Sequence, residues 1–281
     1  MSEQELFYNE ILQELENGSL VLPTLPEVAL RVRDVVDEPD VTAKQLAEII
    51  ITDAALSTRL IKVANSPLYR GRILSESVQM AVSRLGLSIV RNLVISLVME
   101  QMFQPTSNRL DTLLRDLWQH STDVAARCQL LSKKYPNIKS DEAMLAGLIH
   151  NIGVLPILMK AEDTPALLQD TQALDDVIDR LHNKVGAAIL KSWDFSDTLI
   201  TVPQEYSNLA WDSENGPELV DIVQVAHIQS LENTENAIDA DKLDLVKAFK
   251  KLGIDTGIVV NELDEDSEEY AEALALFGFD A

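Results

Sequence analysis

The chain has 281 residues, 46% hydrophobic and 25% charged, with a formal net charge of −23. On average a field of that sign repels nucleic acid and anionic membrane surfaces. The single cysteine, Cys128, excludes an internal disulfide and suits a reducing, cytoplasmic setting. Aromatic residues make up only 5%, and Leu, Ile, Val and Ala recur at spacings of three and four, which predicts an all-α fold. The N-terminus, MSEQELFYNE, lacks a basic segment followed by an apolar run, and no long uncharged apolar stretch follows it. No targeting or membrane-spanning segment is therefore expected.

In chain order, residues 3 to 16 predict a first helix with Leu6, Phe7, Ile11, Leu12 and Leu15 on one side, stopped at Asn17-Gly18-Ser19. Pro26 opens a second helix through Val28, Ala29, Val32 and Val35, and a turn surrounds Pro39. Thr42 and Gln45 are spaced as a capping box for a third. Thr52 or Asp53 caps a fourth, which ends near Asn65-Ser66-Pro67. The segment PLYRGRILSES is too punctuated for a long helix. Ser75 or Ser77 starts a short one ending at Gly86, and Ser88 is read as the cap of the next. The polar run QPTSNR, 104 to 109, predicts a domain boundary.

Beyond it, Leu110 to Lys133 predicts a long helix with His120 beside its apolar stripe. Ser140 is the expected cap of the stretch that carries AMLAGLIHNIGVLPILMK, where His150 and Asn151 lead into a turn at Gly153 and Pro156 opens a further helix. A short piece near Leu168 precedes a helix from Leu174 to Trp193 with His182 midway. The next helix starts near Asp197 and is interrupted or ended at Pro203, and Glu218 to Leu231 carries His227. Residues 241 to 252 and 268 to 277 predict two terminal helices closed by Gly253 and Gly278.

All four histidines lie between residues 120 and 227, each on its own predicted helix. They are either separate hydrogen-bonded core or boundary residues, or a cluster assembled by a helical bundle. Asn151 weakens a metal reading, because a neutral amide is a poor substitute for a carboxylate at a metal centre.

The motifs LPTLPEVALRV, LAEIIITDAALSTRLIKVANSPLY and AVSRLG, with Arg91 and Asn92 after them, resemble the first part of the HDOD domain, the HD-related output domain of bacterial signalling proteins. LWQHS, LAGLIHNIG, HNKVGAAILKSW and DIVQVAHIQS resemble its second part, a degenerate metal-dependent hydrolase module. The resemblance runs from about Leu22 to Leu231. It implies a multi-helix N-terminal subdomain (1–105) packed against a degenerate HD-like helical bundle (106–235), followed by an acidic helical extension (236–281).

HD phosphohydrolases hold divalent metal with a first histidine, an adjacent His-Asp pair and a later aspartate. By resemblance His120 and His150 stand at the first two positions, Asn151 replaces the paired aspartate, and His227 stands where the last aspartate is expected. His182 resembles an additional histidine of phosphodiesterase branches. The further paired histidines of those enzymes are not recognisable between Val202 and Tyr206. Both carboxylates are lost, so His120, His150, Asn151, His182 and His227 are read as a vestigial cluster with no metal, no cofactor and no catalytic residue expected. Three or four imidazoles can still bind Zn²⁺ or Ni²⁺ in principle.

From Ala54 to Met99 the charged residues are Arg59, Lys62, Arg70, Arg72, Arg84 and Arg91 against Glu76. These cations either offset the acidic remainder as solvated groups, or Arg59, Lys62, Arg70, Arg72 and Arg84 bind an acidic signalling partner or a small nucleotide. No interleaved aromatics support nucleic-acid stacking. The tail from Ile254 has nine Asp or Glu and no Lys or Arg; its apolar end either binds a partner or folds back. The expected function is a non-enzymatic regulatory scaffold, with a divergent phosphohydrolase or cyclic-nucleotide phosphodiesterase as the competing class and a nucleic-acid-binding regulator as the third. The oligomeric state is left open.

Overall fold

The computed structural model describes residues 2–36, 38, 40–67, 69–104, 107, 110–232, 234, 236–254 and 268–277. Among these residues the fold is helical throughout, with no strand. Side-chain caps set most N-terminal boundaries in the first half. Ser2 caps α1 (Glu3–Asn17), which ends at Gly18 in the left-handed region with φ 72°. α2 covers Glu27–Val36. Thr42 and Gln45 form the expected capping box of α3 (Ala43–Ile50). Asp53 accepts from the Leu56 amide at 2.9 Å to start α4 (Ala54–Ala64), and Ser77 starts α5 (Val78–Leu85). α6 (Leu87–Met99) follows after Gly86, so Ser88 lies inside it and is not its cap. A 3-10 turn, Glu100–Phe103, closes this half.

The second half is organised on α7 (Asp111–Ser132) and α8 (Ser140–Ile149). A Cβ on Gly147 would meet the Ala125 Cα at 2.8 Å and the Cys128 sulfur at 2.9 Å, so these helices touch backbone to backbone. Ser140 is the first helical residue and not the cap; its hydroxyl lies 3.1 Å from that of Ser132. α9 (Val154–Ala161) begins two residues before Pro156, and α10 covers Pro165–Gln169. α11 covers Thr171–Ser192. α12 (Asp197–Glu205) runs through Pro203, whose ring packs where Gly186 leaves room. α13 covers Leu219–Ser230.

The single helix predicted for 241 to 252 is two, α14 (Ala240–Leu243) and α15 (Lys247–Leu252), the latter closed by Gly253. The last element, α16, covers Glu268–Ala275. Pro39, most of the acidic stretch before α16, and Gly278 lie outside the described residues.

One continuous apolar core runs from Phe7 in α1 to Phe277 after α16. α1 lies against the second half, where Gln4 donates to the Ala173 carbonyl and Lys160 pairs with Glu10 and Glu14. Asn92 of α6 donates to the buried Asp141 of α8 at 2.6 Å. Asp141, expected only as a helix-start charge, thus also ties the halves together. Ser140–Ala161 is long and apolar enough by composition to cross a membrane, yet 89% of its apolar window is buried inside the fold.

Candidate functional site

His150 sits where α8 ends and is fully buried. Its Nδ1 donates to the Gly147 carbonyl at 2.5 Å, which fixes the tautomer and leaves Nε2 as a lone pair. That Nε2 is buried without a hydrogen-bond partner. α7 and α13 bring His120 and His227 beside it, with ring centroids 5.3 and 5.4 Å from the His150 ring. His120 Nε2 and His227 Nδ1 are 3.2 Å apart and share a hydrogen bond. One ring nitrogen from each histidine lies within 4.8 Å of the others. Three histidines 107 residues apart in sequence therefore converge as a bundle permits.

His182 stands apart from this triad. Its Nδ1 donates to the Ile178 carbonyl at 2.7 Å, and its Nε2 accepts from the Tyr206 hydroxyl at 2.9 Å. Tyr206 is the residue that sequence reasoning missed. Its ring meets those of His150 and His227 edge-on, with centroids 4.7 and 5.0 Å away. Tyr206 follows α12, within the stretch searched for paired histidines. The available signal was an aromatic in a chain with few of them.

Gln224 holds that segment. It is fully buried on α13, and its amide donates to the carbonyls of Tyr206 and Asn208 at 3.1 and 2.8 Å. Asn151 is buried, and its side-chain oxygen accepts from Ser121 at 2.9 Å, beside His120. The amide thus ties α7 to the turn after α8 as a hydrogen-bond partner.

Burial governs the electrostatics. Desolvation lowers the pKa of all four histidines, and the neighbouring imidazoles lower His150 and His227 further, the latter to about 3. At neutral pH the imidazoles are uncharged and cannot serve as proton donors of ordinary strength. Burial also raises the Tyr206 hydroxyl, which stays protonated and donates. Asp123, which faces His120, accepts from Arg127 at 2.7 Å and from the Tyr270 hydroxyl. His120 opens onto a cleft of about 500 Å³ that also contains Asp123, Arg127, Glu232 and Tyr270.

The five candidate cations, Arg59, Lys62, Arg70, Arg72 and Arg84, take different positions. Arg84 donates to the carbonyls of Ala64 and Ile73 and to the Asn65 side chain. Asn65 also exchanges two hydrogen bonds with Ser75, of 2.9 and 2.7 Å. These bonds tie Ala64, Asn65, Ile73 and Ser75 together, so Arg84 is bound up in the scaffold. Arg59 pairs with Glu100 at 2.5 Å and reaches the Leu97 carbonyl. Lys62, Arg70 and Arg72 are exposed. Arg70 lines a cleft against α16, and Lys62 lines the neighbouring one.

A family model for the HDOD domain matches residues 22–208. A solved structure from Shewanella amazonensis SB2B, provisionally named a metal-dependent phosphohydrolase, is 33% identical with a TM-score of 0.82, covering 99% of this chain and 98% of that one. An HDOD domain protein of unknown function from Geobacter sulfurreducens is 22% identical with a TM-score of 0.63, covering 98% of each chain. An uncharacterized Treponema pallidum (strain Nichols) protein is 25% identical over 221 residues, 74% of this chain. This chain spans 42% of the length of that curated relative.

Proposed function

We propose that this chain, which belongs to the HDOD family, is a non-enzymatic cytoplasmic signalling scaffold that acts through protein contacts. The observation that carries this reading is Tyr206. Its ring fills one side of the histidine triad, and its hydroxyl occupies the only lone pair that His182 has to offer. Phosphoester hydrolysis of the HD type needs oxygen ligands to hold a hard divalent ion, which activates water and offsets charge on the phosphoryl oxygens. The triad offers nitrogen alone, and the Asn151 oxygen is bonded by Ser121. The residues present do not fit such a centre. The four histidines, Asn151 and Tyr206 instead form a polar plug that closes the bundle around α7, α8 and α13.

The competing reading is a divergent phosphohydrolase. It is favoured by the name of the Shewanella relative and by the approach of three ring nitrogens within 4.8 Å. Turnover of bis-p-nitrophenyl phosphate by highly purified chain, with Mg²⁺, Mn²⁺ or Zn²⁺ supplied in turn, separates the two. The scaffold reading expects wild type and His150→Ala to be equally inactive. Metal-dependent turnover abolished by His150→Ala would sink it.

A further inference from the structure

α16 carries its carboxylates toward a cationic trough. Glu268, Glu269 and Glu272 face a surface built from Lys62 on α4, Arg70 in the following loop and Lys133 at the end of α7. Among the described residues only the pair Lys133–Glu269 closes to contact, at 2.7 Å. Clefts of about 450 and 240 Å³ remain between α16 and the α4 side of the trough. The larger is also lined by Gln129, which is 1% exposed and whose side chain is turned to the Tyr69 hydroxyl.

The apolar hold on α16 falls on Tyr270, Ala273 and Phe277, all buried, the last of them part of the main core. Tyr270 and Ala273 pack with Ala126 in a cluster separate from the main core, and Phe277 meets Trp118 edge-on at 6.0 Å. The helix therefore matches the trough in charge, three carboxylates to three cations, while filling it incompletely.

We infer that the trough between Ser66, Pro67 and Arg70 on one side and the Gln129–Lys133 face of α7 on the other is a docking groove for an acidic amphipathic helix of a partner protein, with α16 as its resident intramolecular occupant. Such a helix would place carboxylates against Arg70 and Lys62 and seat apolar side chains where Tyr270 and Ala273 now lie. α16 competes at the high effective concentration of a tethered segment, so the closed chain binds weakly and release of α16 opens the groove. This rests on the scaffold reading only for the existence of a protein partner. Binding is scored without a catalytic assay, so the groove can fail while that reading stands.

The test uses the full chain and a fluorescein-labelled peptide of residues 266–279 as the probe. Tyr270→Ala with Phe277→Ala removes the anchors of α16 and is expected to tighten peptide binding on the order of tenfold or more over wild type. Glu269→Lys, an exposed change that breaks only the Lys133 pair, is expected to shift binding the same way by less. Adding Arg70→Glu and Lys133→Glu to the unseated chain is expected to abolish binding, and a probe with its three α16 glutamates changed to lysine should not bind. Equal binding by wild type and both unseated chains, or binding insensitive to the charge reversals, would overturn the proposal. A dimer formed by the unseated chain and lost with Lys133→Glu would make a second copy the occupant and overturn the assignment to a partner protein.

Discussion

His227 shows how this core treats a titratable group. Desolvation and two neighbouring imidazoles hold its pKa at about 3, against 6.5 for the free side chain, and His120, His150 and His182 are shifted the same way. Below 6.5 the unfolded chain takes up protons that the folded chain refuses, so stability is fully present above that pH and declines as pH falls toward the folded value. Each histidine held neutral in this way contributes a slope of up to about 1.4 kcal/mol per pH unit. Between about pH 6.5 and 5 most carboxylates remain ionised, so the histidines dominate this window. The melting temperature is expected to fall steadily there, and less steeply in His227→Asn. Parallel curves for the two proteins would show that His227 titrates normally.

Among the elements, the turn between α8 and α9 places the strictest demand on a single residue. A Cβ on Gly153 would stand 2.0 Å from the His182 carbonyl oxygen and 2.5 Å from the Gly186 nitrogen, both backbone atoms of α11 that cannot step aside. Gly153→Ala must push α9 away from α11 and disturb the seat of His182 and Tyr206. A loss of about 3 kcal/mol or more in chemical denaturation is expected, at the severe end of single substitutions. A loss below about 1 kcal/mol would mean that the two helices are not locked at this point. The local boundaries were legible because Thr42, Asp53 and Ser77 announce their caps in sequence. Ser88 and Ser140 carry the same chemistry, but the helices begin one residue ahead of Ser88 and at Ser140 itself. Pro203 misled because a proline near the end of a helix removes only one internal hydrogen bond, and its ring here fills the space beside Gly186.

Across the whole molecule, a continuous core, the Asn92–Asp141 bond and the seat of α1 on α11 join the parts that the sequence divides at residues 105 and 235. That division remains our proposal for the domain plan. The convergence of His120, His150 and His227 was legible from their order on separate helices together with the family resemblance. The plug was not, since the bonds of Tyr206 to His182 and of Gln224 to the 206–208 segment depend on how α11, α12 and α13 pack. The apolar end of the tail left fold-back open as one of two readings, and α16 does pack on Ala126 of α7. The central claim, a histidine cluster that closes the bundle without serving a metal, is tested most directly by the melting temperature of wild type and His150→Ala in EDTA and in excess Mn²⁺ or Zn²⁺. A metal that binds the folded chain must raise its melting temperature by mass action. The expected result is a lower melting temperature for His150→Ala and no dependence on metal or chelator in either protein, whereas a metal-induced rise in wild type that is absent from His150→Ala would contradict the account.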